Sequence, residues 1–199
     1  SNNFDEFINN KKAEKGGTYT HTRIGSKELN IYGGTYNITD EDEKNFTEKY
    51  YEKIFVKGKE EYITEKQLIE NGPILIDLDF AYDKNVKKKQ HTKDHVIDGV
   101  YCYCENILKL LNIPNGESID VFVLEKSQVN QLEQKTKDGI HIIIGITMHK
   151  GLQVLLRSLV LDELKNIWSD LPIINTWEDV FDEGVTKGFV NWQAYGSRK

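Results

Sequence analysis

The chain has 199 residues and a formal net charge of −6 at pH 7, and its length suffices for one substantial core without disulfides or structural metals. Two cysteines, no apolar run of membrane-spanning length and no secretory leader favour a reducing compartment and argue against a membrane protein. The acidic balance argues against a tight, autonomous DNA-binding domain, because phosphate contacts normally need clustered lysine and arginine.

The first predicted elements are the two strands of a β-hairpin. Residues 29–32 and 35–38 each alternate apolar and polar side chains, and they flank the pair Gly33 and Gly34. Two consecutive glycines are typical of a tight hairpin turn. We therefore expect these two segments to pair with each other.

Two helices are predicted next. Thr39 is a typical N-cap, and the large apolar residues after it recur at helical spacing and mark a buried stripe of Phe46, Tyr50, Ile54 and Phe55. Thr64 and Gln67 have the spacing of a capping box, which predicts a short helix before Gly72.

Two acids interrupt the apolar run from Ile74 to Phe80, which otherwise predicts a buried strand. Alternation along a strand puts Asp77 and Asp79 on one face and the apolar residues on the other. Paired carboxylates repel each other unless a divalent cation lies between them, and carboxylate oxygens suit Mg²⁺ or Mn²⁺. The alternative is a strand end with solvated acids, because Asp-x-Asp is a short and common pattern.

The segment from Thr92 to Leu111 predicts a helix, and four possible zinc ligands lie in or next to it: His91, His95, Cys102 and Cys104. The apolar stripe of this helix places Cys104 in the core. Cys102 is then about 200° away around the helix and cannot share a metal with it. We expect free cysteines and no zinc site.

Residues 119–124 and 140–146 predict two further strands, and residues 149–168 predict a helix with its leucines inward. In the second strand, alternation puts Gly139 and His141 on the face opposite the isoleucines. His141 is therefore expected to point away from the core, although a lone histidine on a strand is usually structural.

A third acid, Asp182, follows the apolar pair Val180-Phe181, and the chain then reaches Gly196-Ser197-Arg198-Lys199. Three other acids lie close to Asp182 in the sequence: Glu178, Asp179 and Glu183. The preference for Asp182 depends on its apolar lead-in and on its distance from Gly196.

Four motifs follow one another along the chain: an Asp-x-Asp strand, a Gly-x-His strand, an aspartate after two apolar residues, and Gly-Ser-x-Lys. In this order they resemble the catalytic core of the archaeo-eukaryotic primase superfamily. The likeness is greatest to primase domains of primase-helicases from nucleocytoplasmic large DNA viruses and to related primase-polymerases. It implies an α+β fold with an RNA-recognition-motif-like, mostly antiparallel sheet and packed helices. Residues 1–199 would form a single catalytic domain, truncated from a longer primase-helicase. The front of the chain is similar too, and there His21 and Arg23 could reach nucleotide or template.

The resemblance also implies the roles of the acids and of the histidine. Asp77, Asp79 and Asp182 would hold Mg²⁺ or Mn²⁺ for template-directed nucleotidyl transfer by two metal ions. His141 would bind the triphosphate, and Gly139 would let the phosphates approach the backbone. Many relatives have serine in place of Gly139, so a possible hydroxyl contact to phosphate is missing here.

Near the end of the chain, the same resemblance makes Ser197, Arg198 and Lys199 candidate contacts to phosphate oxygens, with Arg198 on the opposite face of a regular strand. The implied partners are nucleoside triphosphates, a single-stranded DNA template and a C-terminal helicase module, with no membrane. A viral protein of this kind would act in the host cytoplasm or nucleus.

Two other function classes remain open. A metal-dependent nuclease or another Asp-x-Asp phosphotransfer enzyme would need neither the Gly-x-His strand nor the Gly-Ser-x-Lys segment. A non-catalytic replication module is disfavoured by three intact acids. The preference for ribo- or deoxyribonucleotides, the need for a primer and the start sequence on the template are not encoded in these motifs.

The expected arrangement is specific. One mostly antiparallel sheet should contain three neighbouring segments: the Asp77 strand, the Gly139 strand and the segment from Asp182 to Tyr195. The helices that begin near Thr92 and His149 should pack on its far face. Asp77 and His141 should then lie within one nucleotide length of each other.

Overall fold

The computed structural model describes residues 3–66, 70–187, 191–194 and 196–198. Two compact units are present. The first contains Ser1–Gln67 and Val190–Lys199, and the second is Leu68–Phe189. In the described part of the chain, no helix is both long enough and apolar enough to cross a bilayer.

The chain contains both helices and antiparallel strands, so the α+β prediction is confirmed. The helices are α1 (Phe4–Asn9), α2 (Asp40–Tyr51), α3 (Lys93–Leu110), α4 (Lys150–Ile167), α5 (Trp177–Val180) and α6 (Glu183–Lys187), and a π-helical turn at Glu52–Val56 continues α2. The strands are β1 (His21–Arg23), β2 (Gly34–Tyr36), β3 (Ile63–Glu65), β4 (Asn71–Asp83), β5 (Val121–Glu125), β6 (Asn130–Gln131), β7 (Lys135–His149) and β8 (Trp192–Gln193).

The first unit is a four-stranded sheet in the order β2-β1-β3-β8, with an aromatic core shared with α1 and α2. Phe4 lies with its ring centroid 5.6 Å from those of Phe46 and Tyr50. The predicted stripe of α2 is therefore buried at Phe46 and Tyr50, whereas Phe55 on the π-helical turn is exposed.

The predicted hairpin between residues 29–32 and 35–38 is wrong, because β2 pairs with β1 instead. Gly25 and Gly33 instead allow two segments of this loop to approach each other closely. A Cβ on Gly33 would lie 2.9 Å from the amide nitrogen of Gly25, inside the range that real Cβ atoms avoid. Asn30, with φ of 54°, lies within the turn that the isolated bridge between Ser26 and Ile31 closes. The close contact between Gly25 and Gly33 therefore closes the base of a longer loop.

The predicted helix start at Thr64 is also wrong, since Thr64 lies in β3 and is the register partner of Thr22 in β1 and of Gln193 in β8. Gln67 lies outside the described residues. A β-branched threonine suits a strand, and pairing with two neighbours outweighs a local capping pattern.

The second unit is built on two long strands. β4 and β7 pair antiparallel along their lengths, β5 lies on the other side of β7, and β6 pairs with the start of β7. Phe181 forms an isolated antiparallel bridge with Leu78 on the free edge of β4. The spatial order is thus the Phe181 segment, β4, β7 and β5, with α3 and α4 in the two crossovers, which is the split β-α-β layout of an RNA-recognition-motif-like core.

The prediction that the segment from Asp182 to Tyr195 joins this same sheet is wrong for residues 192–193. Those residues form β8, which pairs with β3 in the sheet of the first unit. Tyr195 lies outside the described residues. Alternation predicts that a segment is a strand, but it does not say which free edge the segment will meet. The prediction of one catalytic domain over 1–199 stays a prediction.

The core of the second unit lies between the sheet and the helices α3 and α4, as predicted. Alternate residues of β4 and β7 enter this core: Ile74, Ile76, Leu78, Phe80, Tyr82, Ile140, Ile142 and Ile144. The helices contribute Tyr103, Ile107, Leu156, Val160 and Leu164, and Trp168 follows α4. The opposite face of the sheet is left to carry polar groups.

The predicted inward face of α3 is rotated from the observed one. Cys102 is buried at 3% exposure, whereas Cys104 is only partly buried, so placing Cys104 in the core was wrong. The apolar pattern misled because Tyr101 and Leu108 are exposed, while the polar Asn106 is buried and donates to the Cys102 carbonyl at 2.8 Å.

His91 and His95 each contact an acidic side chain. His91 contacts Glu125, and Nε2 of His95 lies 2.9 Å from Asp170. Both cysteines are free. The four candidate zinc ligands are not among the groups that could hold a metal ion in the described part of the chain.

Candidate metal centre

Asp77 and Asp79 lie on the face of β4 that points away from the core. Their apolar neighbours Ile76, Leu78 and Phe80 are buried, whereas both aspartates are only partly buried. The alternation predicted from the sequence is therefore confirmed. An antiparallel ladder with β7 fixes the backbone on which the two carboxylates stand.

His141 lies directly opposite Asp77 in this ladder. Its Nε2 is 3.0 Å from Oδ1 of Asp77, and its side chain is 33% exposed. The histidine thus points out of the core, as predicted, and is beside the first acid. This distance is well within one nucleotide length, so the structure brings the two residues into one site.

Gly139 is the register partner of Asp79. A Cβ at this position would lie 2.9 Å from the carbonyl oxygen of Leu78 and 3.8 Å from Oδ1 of Asp79. The first contact is with backbone, so any side chain here would push β4 and β7 apart. The absence of a side chain at this position is therefore a packing requirement in this protein.

Asp182 reaches the same place from the free edge of β4. Its N–H donates to the Asp77 carbonyl at 3.0 Å, next to the isolated bridge between Leu78 and Phe181. Oδ1 of Asp182 accepts from the N–H of Gly184 at 2.8 Å. The edge contact and the turn that follows it orient this carboxylate toward the two acids of β4.

The three aspartates form a possible cation site. One carboxylate oxygen from each of Asp77, Asp79 and Asp182 lies within 4.8 Å of the others. Among the described residues this is the one group found that could hold a metal ion, and it includes none of the rival acids Glu178, Asp179 and Glu183. An all-carboxylate donor set fits a hard divalent ion, so the residues present fit the metal that the resemblance implies.

The candidates near the end of the chain belong to the first unit. Oγ of Ser197 accepts from the N–H of Ile63 at 2.9 Å and lies 2.8 Å from the hydroxyl of Tyr50. Nη1 of Arg198 lies 2.7 Å from Oε1 of Glu60. Lys199 lies outside the described residues. The phosphate contacts assigned to these three residues stay predictions.

His21 and Arg23 do not offer free groups to a nucleotide or template, so that prediction is wrong. Arg23 is buried and contacts the carboxylates of Glu61 and Asp5. His21 is buried with its ring 4.7 Å from that of Phe46, and burial lowers its pKa to about 4. Both side chains are parts of the interior of the first unit.

Sequence reasoning missed two residues at this site, one that contacts the edge of β4 and one that contacts the Phe181 segment beside it. Asn175 donates from Nδ2 to the Asp79 carbonyl at 2.9 Å, and its Oδ1 accepts from the N–H of Ala81 at 3.1 Å. Arg157 on α4 donates to the Phe181 carbonyl. No sequence pattern marks either residue, because each acts through backbone groups of residues distant in sequence.

Comparison with known proteins identifies the family. Residues 25–199 match the family described as "C962R protein N-terminal AEP domain". The chain is also 34% identical over 193 residues to an Acanthamoeba polyphaga mimivirus protein named "Putative helicase L207/L206", a match that covers 94% of this chain and 19% of that protein. The chain therefore belongs to the archaeo-eukaryotic primase (AEP) family. It spans about a fifth of the length of the mimivirus protein.

Proposed function

We propose that this chain is the catalytic domain of a DNA primase or primase-polymerase, a template-directed nucleotidyltransferase that makes primers for DNA replication. The observation that carries the proposal is the cluster of Asp77, Asp79 and Asp182 with His141 beside it, in a chain of the AEP family. The combination favours a metal centre over its two alternatives, a strand end with solvated acids and a structural histidine.

A pair of Mg²⁺ or Mn²⁺ ions, when bound, would lower the pKa of the 3′-hydroxyl of the primer or first nucleotide and would neutralise charge on the α-phosphate and the pyrophosphate leaving group. The three aspartates would hold them, because hard cations prefer anionic oxygen. His141 would exchange its contact with Asp77 for one to a triphosphate oxygen. Gly139, with no side chain, would leave room for phosphate near the backbone.

The partners follow from the same proposal. Nucleoside triphosphates and a single-stranded DNA template would be the substrates. The mimivirus relative carries the name of a helicase and is much longer than this chain. This supports a longer protein that combines the present domain with a C-terminal helicase module and acts in an infected host cell, in its cytoplasm or nucleus.

The test is incubation with a single-stranded template, Mg²⁺ or Mn²⁺ and labelled nucleoside triphosphates. Labelled oligomers that depend on the template would support the proposal. Template shortening without oligomers would contradict it in favour of a metal-dependent nuclease. If the chain is folded by circular dichroism but neither makes oligomers nor shortens the template, the proposal is contradicted in favour of a non-catalytic replication module.

A further inference from the structure

Asp182 follows a segment that meets β4 through an isolated bridge. Phe181 pairs with Leu78, and the Asp182 N–H donates to the Asp77 carbonyl at 3.0 Å. In a continuous ladder, successive hydrogen bonds would fix the direction of the chain. An isolated bridge fixes one point, so the direction in which Asp182 leaves β4 depends on other contacts.

Arg157 on α4 supplies such contacts. Its Nε and Nη2 donate to the Phe181 carbonyl at 3.1 and 2.8 Å, and Nη2 also donates to the Glu178 carbonyl at 3.0 Å. The Phe181 carbonyl belongs to the peptide group that joins Phe181 to Asp182. Because a guanidinium is planar and its donors are rigidly spaced, these bonds fix that peptide in place and in orientation.

We infer that Arg157 is a positioning residue of the metal centre. By fixing the peptide before Asp182, it sets the distance of that carboxylate from Asp77 and Asp79, and so it sets the affinity for a divalent cation. The inference rests on the metal centre of the proposed function, and it does not require that the chain synthesise primers.

The sign of the effect distinguishes positioning from electrostatics. A guanidinium repels a cation, so removing its charge should by Coulomb's law tighten the binding of Mn²⁺. Removing a positioning residue should weaken it, because the three carboxylates would no longer converge. Groups that orient metal ligands typically contribute about 10- to 100-fold to affinity.

The experiment measures Mn²⁺ affinity from the electron paramagnetic resonance signal of free Mn²⁺, at a temperature where each variant is folded by circular dichroism. We expect Arg157→Met to weaken binding by about tenfold or more. Arg157→Lys, which keeps the charge and a single donor nitrogen, should give an intermediate affinity. Lys165→Met removes the same charge from the same helix, where Lys165 pairs with Asp162, and should leave the affinity unchanged.

The same variants in an Asp182→Asn background complete the test. If Arg157 acts through Asp182, Arg157→Met should cause no further loss of affinity there. An equal loss in both backgrounds, or tighter binding in Arg157→Met, would overturn the inference. If Arg157→Met does not fold, Arg157→Lys in both backgrounds carries the same comparison. Equal Mn²⁺ affinity in the parent and in Asp182→Asn would instead contradict the metal centre, and with it the proposed function.

Discussion

Asp77 and His141 face each other across two paired strands: Nε2 of the histidine lies 3.0 Å from Oδ1 of the aspartate, and their Cα atoms are register partners. One ladder therefore fixes a candidate metal-binding carboxylate and the candidate phosphate contact together. Residues held on long paired strands keep their relative positions better than residues on loops. The third acid differs, because it reaches the site from outside this ladder.

A divalent cation should stabilise the fold. The three carboxylates repel one another when no cation is bound, and a ligand that binds only the folded chain raises the free energy of unfolding by mass action. At a Mn²⁺ concentration 100-fold above the dissociation constant, the expected gain is about 2.7 kcal/mol. Thermal melts with and without millimolar Mn²⁺ measure it.

The control for that measurement is the double variant Asp77→Asn with Asp79→Asn. Mn²⁺ should not shift its melting, because two of the three candidate metal-binding carboxylates are lost. A shift equal to that of the parent would show that Mn²⁺ binds elsewhere.

His141→Ala and Asp79→Ala should affect nucleotide incorporation differently. His141 is proposed to contact the triphosphate before and during the reaction, so its loss should mainly weaken nucleotide affinity. Asp79→Ala removes a proposed metal ligand, which would be needed as charge develops at the α-phosphate, so it should abolish incorporation while the fold remains. Nucleotide titrations and extension rates of both variants measure the difference. A His141→Ala variant that binds nucleotide like the parent would remove the histidine from the triphosphate site.

Gly139→Ala should destabilise the second unit. The added Cβ would lie 2.9 Å from the Leu78 carbonyl oxygen, so β4 and β7 must move apart. Overpacking of this kind costs about 1–3 kcal/mol, which urea unfolding would detect. Gly145→Ala on the same strand has a longer closest contact of 3.2 Å and should cost less. A Gly139→Ala variant as stable as the parent would show that the ladder yields at this point.

The stability of the first unit should depend on pH through His21. Burial lowers the pKa of His21 from 6.5 to about 4. As the pH falls between these values, the unfolded chain takes up a proton that the folded chain does not, so the free energy of unfolding decreases.

The variant His21→Asn, which cannot titrate, isolates this contribution. Urea unfolding at pH 7 and at pH 5 should show a smaller loss of stability on acidification in the variant than in the parent. If both lose the same amount, His21 does not contribute to the pH dependence.

The strands that carry the acids and the histidine could be predicted because their signals are local. Alternation alone places Asp77, Asp79 and His141 on the outer face of a strand, and the burial of their neighbours confirms it. The choice of Asp182 among nearby acids came from an apolar lead-in, and Phe181 of that lead-in is buried against β4.

What the sequence did not reveal depends on partners distant in the chain. Tertiary contacts decide the edge that β8 joins, the loop closed by Gly25 and Gly33, and the rotation of α3, whose Asn106 donates to Glu163 on α4. The role of Arg157 is of the same kind, because backbone carbonyls, which every residue has, are its targets.

The most direct test of this account compares nucleotide incorporation on a single-stranded template by the parent, Asp182→Asn and Asp179→Asn. Asparagine at 182 keeps an oxygen for the Gly184 N–H, so the fold should remain, while one metal-binding charge is lost. We expect incorporation to fall by at least about 100-fold in Asp182→Asn, because metal-ion stabilisation contributes several kcal/mol to such reactions. Asp179→Asn, outside the triad, should match the parent. Equal incorporation by Asp182→Asn and the parent would contradict catalysis at the Asp77, Asp79 and Asp182 centre.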